Sequence, residues 1–79
     1  MSVAATQLQA GLAVIDLLVD AGLATSKGEA RRLIRGGGAK VNDVAVTDEG
    51  QSVSMADVSD RGDIKLSAGK KRHALVKPN

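Results

Sequence analysis

Apolar residues at Leu8, Leu12, Ile15 and Val19, with Gly22 continuing the series, recur every three or four positions, the repeat of a helix with one buried face. Val14, Leu17 and Leu18 widen that stripe, so the spacing predicts one largely buried helix across this stretch. Gly22 supplies a left-handed residue to end it, and Leu23 folds back onto the last turn. A second helix opens at Ser26-Lys27-Gly28-Glu29, which reads as a capping box: the serine hydroxyl accepts the amide three residues on, and Glu29 reaches back. At roughly 100° per residue, Ala30, Leu33 and Ile34 gather on one side of it, while Lys27, Arg31, Arg35 and Arg32 fan across the opposite side. Gly36-Gly37-Gly38 stops the helix.

Beyond the glycines the period changes to two. Ala39–Val46 places Asn42-Asp43, a pair that tolerates positive φ, between short β-prone runs, and so predicts a hairpin. A second hairpin is expected over Lys65–Lys77, where Ser67–Arg72 turns the chain and His73–Lys77 returns. Thr47–Gly62 is acidic and irregular, with one short strand near Ser52–Val53, and Pro78 ends any strand. Residues 1–7 show no pattern and read as a frayed leader or linker remnant, 8–77 as the domain, and 78–79 as a tail. The expected fold is α+β, two packed helices in a helix-turn-helix against a small antiparallel sheet.

Seventy-nine residues allow one small domain. A chain of this size buries only about 60% of its unfolded surface, so its core of valine, leucine, isoleucine and alanine is economical. No cysteine is present, which excludes disulfides, thiolate catalysis and thiolate metal sites. No apolar run approaches the roughly 18 residues of a membrane span. No basic segment precedes an apolar one at the start, as a secretory signal would require.

The net charge of +2 conceals segregation. Lys27 to Lys40 holds five cations and one anion, Asp43 to Asp63 six anions against Arg61 alone, and Lys70 to Lys77 four cations and no anion. Opposite faces of opposite sign are implied, and a basic face fits a polyanion. The chain has no Phe, Tyr or Trp. Stacking on aromatic rings is therefore closed to it, and a nucleic-acid partner must be held through phosphates, sugars and shape, which favours structured RNA.

Lys27, Arg31, Arg32, Arg35 and Lys40 form the leading candidate for RNA contact, weighed against ordinary solvent exposure. Lys70, Lys71, Arg72 and His73, expected at the tip of the second hairpin, are either a cationic finger or a merely soluble turn. The three glycines follow a helix instead of preceding one, the wrong polarity for a phosphate loop, so helix termination with close backbone approach is the better reading. Asp57, Asp60 and Asp63 lack the ligand order of a calcium loop and read as a solvated acidic segment, with no metal expected. Arg61-Gly62-Asp63 is a chance tripeptide. With one histidine and no nucleophile paired to it, no catalytic site is indicated. The pattern is that of a binding module.

Leu17-Leu18-Val19, Ala21-Gly22-Leu23-Ala24, Ser26-Lys27, Glu29-Ala30-Arg31-Arg32-Leu33-Ile34, Gly37-Gly38 and Val41-Asn42 together resemble the αL RNA-binding motif. Its family takes its name from the fourth small-subunit ribosomal protein. Ile64–Val76 closely resembles the C-terminal end of bacterial tyrosyl-tRNA synthetases. The resemblance implies a detached C-terminal domain that grips tRNA, with tRNA-Tyr and its long variable arm as the expected partner. It implies Lys27, Arg31, Arg32, Arg35 and Lys40 against the tRNA backbone, with Lys70–His73 contributing. It also implies a cytoplasmic setting, a domain with no cofactor of its own, ATP used only by the parent catalytic domain, a homodimeric parent and a monomeric isolated domain. Gly28 departs from the helix-favouring residue expected there, and Asn42-Asp43 from the commoner Asn-Gly turn. Two other readings compete: a stand-alone ribosome-associated or rRNA-binding protein of the same fold, and a protein-docking domain using its acidic face.

Overall fold

The computed structural model describes residues 1–79. In chain order it has β1 (Ser2–Val3), α1 (Ala5–Ala10), β2 (Leu12–Ala13), α2 (Val14–Asp20), α3 (Lys27–Arg35), β3 (Ala39–Val41) and β4 (Val44–Ala45). β5 (Ser52–Val53), a 3-10 turn at Met55–Asp57, β6 (Ile64–Ala68) and β7 (Arg72–Pro78) complete it. The main sheet runs β1-β7-β6-β3-β4, and β2 pairs with β5 in a separate two-stranded ribbon. The α+β expectation holds. The sheet is antiparallel except at its β1–β7 edge, which is parallel.

The single N-terminal helix expected from the apolar repeat is two helices. Gly11 takes φ +95°, a backbone open to few other residues, and breaks the helix there. Leu12 and Ala13 then run antiparallel to Val53 and Ser52, and the Val14 amide donates to the Gln51 carbonyl at 3.0 Å. The periodicity survives the break because Leu8 and Val14 both remain in the core, so spacing alone does not reveal it.

Residues 1–7 and 78–79, expected as a leader or linker remnant and a tail, are hydrogen-bonded to each other at the β1–β7 edge of the sheet. The Lys77 amide donates to Met1, the Asn79 amide to Val3, and the Ala5 amide to Asn79, at 2.7–3.1 Å. The terminal ammonium of Met1 donates to the Leu75 carbonyl at 3.0 Å. Pro78 ends β7 without breaking this ladder: Lys77 and Asn79 supply the donors toward β1, and β6 reaches only as far as the Ile64–Val76 pair.

Both helices that carry the motif end the same way. After α2, the Leu23 amide bonds the Leu18 carbonyl at 2.9 Å and the Gly22 amide the Val19 carbonyl at 3.0 Å, with Gly22 at φ +78°. After α3, Gly38 bonds Leu33 at 2.8 Å and Gly37 bonds Ile34 at 3.1 Å, with Gly37 at φ +74°. This paired closure satisfies helix-end carbonyls and turns the chain sharply. At the start of α3 the capping box is half formed. Ser26 Oγ accepts from the Glu29 amide at 3.1 Å, but the Glu29 carboxylate accepts from Thr25 Oγ1 instead of reaching back to Ser26.

One core joins the layers. Leu8, Leu17, Leu18, Ala30 and Ile34 of the helices pack in the same cluster as Ala39, Val41, Ile64, Leu66 and Val76 of the sheet. The first hairpin turns as expected on Asn42 and Asp43, at φ +50° and +68°, the mirror-image turn whose twist matches the strands. Asn42 also locks the acidic segment to the sheet: its Nδ2 donates to the Asp57 carbonyl at 2.6 Å and its Oδ1 accepts from the Lys65 amide at 2.9 Å.

Candidate nucleic-acid interface

All nine candidate side chains are exposed, but the fold divides them. On α3, burial of Ala30 and Ile34 turns the basic arc outward, as the helical spacing requires. Two of its four cations are held internally. Lys27 Nζ lies 3.4 Å from Asp16 of α2, and Arg35 Nε bonds Glu49 of the acidic segment. Arg31 and Arg32, between them, face no carboxylate within 4.0 Å.

The sheet register places the rest. Lys40 of β3 lies opposite Ser67 of β6, and Ser67 opposite His73 of β7, so the three share the outer face of the sheet. His73 Nδ1 sits 3.0 Å from Ser67 Oγ, a serine that is itself only 2% exposed. Asp43 at the first hairpin turn belongs to the same surface. Lys65 bonds it at 3.0 Å and holds its carboxyl below the usual carboxylate range, with smaller contributions from Lys40 and His73.

Lys70–His73 does not form one cationic finger. Only Lys70 and Lys71 occupy the turn, since β7 already begins at Arg72. Arg72 is one residue out of step with His73 and therefore faces the helices. Its guanidinium donates to the Gly22 carbonyl at 2.7 Å, at the end of α2.

Two adjoining grooves connect helix and sheet. The first, about 250 Å³, is lined by Glu29, Arg32, Leu33, Gly36 and Gly38. The second, about 240 Å³, is lined by Gly37, Gly38, Lys40, Gly69 and Lys70, and Gly38 belongs to both. Arg32 thus borders the first groove and Lys40 and Lys70 the second, on either side of Gly38, although the three come from a helix, a strand and a turn. The sequence marks the three glycines as a helix stop with close backbone approach and puts Gly69 in the second turn, but gives no signal that the two meet. No group of three or more histidine, aspartate or glutamate side chains is placed to hold a metal ion. Asp57 instead caps the 3-10 turn through the Ser54 amide, and Asp63 is buried against Ser59 and Arg61.

Comparison with known proteins gives this arrangement its place. Residues 1–76 match the family described as the tyrosine–tRNA ligase SYY-like C-terminal domain. The chain belongs to that family. It is similar to the tyrosine–tRNA ligase of Agrobacterium fabrum (strain C58), 49% identical over 78 residues, which is 99% of this chain and 19% of the relative. To the tyrosine–tRNA ligase of Rickettsia bellii it is 59% identical over 70 residues, and to that of Xanthobacter autotrophicus 55% over 71. These matches cover 89% and 90% of this chain and 17% of each relative. The chain therefore spans about a fifth of the length of the ligases it matches. For a member of the tyrosine–tRNA ligase C-terminal family, the unpaired cations around the grooves become the part of the surface to be explained.

Proposed function

We propose that this domain grips tRNA, with tRNA-Tyr as its cognate, for a tyrosine–tRNA ligase whose catalytic part lies elsewhere. The observation that carries the reading is the set of cations left free by the fold. Arg31, Arg32, Lys40, Lys70 and Lys71 have no internal carboxylate partner, and three of them border adjoining grooves. A cation paired with a carboxylate of the same chain must first leave that partner, whereas a free one releases counterions directly when a phosphate replaces water. The absence of aromatic rings supports recognition of backbone and shape, the mode suited to a folded RNA and its long variable arm.

The domain does no chemistry in this proposal. ATP and tyrosine belong to the catalytic part of a homodimeric cytoplasmic ligase, and the domain itself is a monomer without a cofactor. Arg31, Arg32, Lys40, Lys70 and Lys71 provide the main phosphate contacts. Lys27 and Arg35 join once RNA competes with Asp16 and Glu49, and His73 contributes from the outer sheet face. Arg72 serves the fold first, through Gly22.

Titration of the domain with tRNA-Tyr and with a tRNA of short variable arm, at two salt concentrations and followed by amide NMR shifts, tests this. With about five phosphates neutralised, log affinity falls against log salt with a slope near −3.5 to −4.5. The expected shifts cluster on Arg31–Lys40 and Gly69–Lys71 and are larger for tRNA-Tyr. Equal, weak binding of both RNAs favours a ribosome-associated role instead. Binding at neither salt concentration overturns the RNA reading.

A further inference from the structure

The glycines that end α3 do more than stop a helix, because they also meet the second hairpin. Gly38 accepts the Gly69 amide at 2.8 Å, which staples the helix exit to the β6–β7 turn. Above that staple lies the second groove, with three glycines and two lysines around it and no carboxylate. Gly37 and Gly69 hold φ +74° and +72°, and a Cβ built on either would meet no atom within 4 Å. The space over the backbone is therefore open, and it is bare because both positions need a left-handed residue. Lys40 and Lys70 approach it from a strand and a turn, and neither is engaged by a carboxylate within 4.0 Å. The neighbouring groove differs, since Glu29 lines it beside Arg32.

The geometry points to this groove as the seat of a single RNA backbone phosphate, with Lys40 and Lys70 as its charge partners and Gly38 as its floor. The assignment rests on the RNA reading above and makes it specific. A lysine ammonium is a compact charge with three donors and imposes no planar geometry, so two of them converge on a phosphate from different directions. The missing side chains let the phosphate come close to the main chain, where a methyl group would hold it off. The stapled backbone keeps the site formed before RNA arrives, so little ordering is needed on binding.

Gly38→Ala separates close approach from charge. Its Cβ would meet Leu33 and Gly69 at 3.6 to 3.9 Å, ordinary contact distances, and Gly38 is not at positive φ, so the variant should fold. Binding of tRNA-Tyr is measured across a salt series for the intact domain, Gly38→Ala, Lys40→Gln, Lys70→Gln and the variant carrying both lysine substitutions, with thermal melting alongside. Gly38→Ala is expected to melt like the parent and keep its salt slope, yet to lose affinity several-fold. Lys40→Gln and Lys70→Gln are each expected to reduce the slope by a fraction of a phosphate, and together by roughly 0.7–0.9, the value for one shared contact. Parental affinity in Gly38→Ala, or an unchanged slope in the double lysine variant, overturns the groove assignment while leaving RNA binding intact. Failure of the parent domain to bind tRNA-Tyr overturns the underlying reading instead. Should Gly38→Ala melt early, the lysine slopes alone decide.

Discussion

The guanidinium of Arg72 donates to the carbonyl of Gly22 at 2.7 Å, joining positions 50 apart in sequence. Through it the start of β7 holds the turn that separates α2 from α3. Arg72→Gln should therefore destabilise the domain by about 1 kcal/mol, the net worth of one such hydrogen bond at an exposed site. Urea denaturation measures this. An unchanged midpoint would remove Arg72 from the fold and return it to the RNA surface.

Two glycines predict opposite signs. Gly11 sits at φ +95° with Ser52 and Val53 about 4 Å from any added Cβ, so Gly11→Ala should cost about 1–2 kcal/mol. Gly28 lies in the first turn of α3, at negative φ, with only Ser26 Oγ near, at 3.8 Å. Gly28→Ala should stabilise by up to about 0.5–1 kcal/mol. The same sign for both, in one denaturation series, would contradict the helix break at Gly11.

Glu49 occupies Arg35, and removing it should help RNA. Both partners are substantially exposed, so the pair is worth little, and Glu49→Gln should tighten tRNA-Tyr binding by no more than about five-fold. Arg31→Gln with Arg32→Gln should weaken binding more than Lys27→Gln with Arg35→Gln, because the first pair is free and the second is held. Reversing both charges in Arg31→Glu with Arg35→Glu should abolish binding with the NMR dispersion of a folded domain retained. Collapse of that dispersion would show the arc to be structural.

Asp43 gives a pH dependence of known sign. Its carboxyl is held below its ordinary value of 3.8, chiefly by the hydrogen bond and charge of Lys65. A lowered folded value means that the contribution is fully present above pH 3.8 and is lost as pH falls through the lower folded value. The stability difference between the parent and Asp43→Asn should thus be constant from neutral pH down to about 4 and shrink below it. A difference that instead grows in acid would contradict the Lys65 contact.

How much of this was legible depended on whether the signal was local. Ser26, Gly22 and Asn42-Asp43 each encode a cap or turn within four residues, and each stands where expected. The helical basic arc was legible because Ala30 and Ile34 define its opposite side. The β1–β7 pairing was not, since a two-residue strand has no periodicity and its partner lies at the other end of the chain. Nor was the state of the cations. Asp16 and Glu49 neutralise Lys27 and Arg35 through tertiary contacts, and the Gly38–Gly69 staple that forms the groove joins residues 31 apart.

The parallel pairing of β1 with β7 also determines how the domain bears mechanical load. β1 and β7 run parallel, so tension applied between Met1 and Asn79 acts along the strands and strains all of their hydrogen bonds at once. A hairpin pulled open from its two ends gives way one bond at a time. In this domain the β1–β7 bonds are instead loaded together, in shear. Single-molecule pulling should therefore show a force peak that is lost when Ser2–Val3 is deleted.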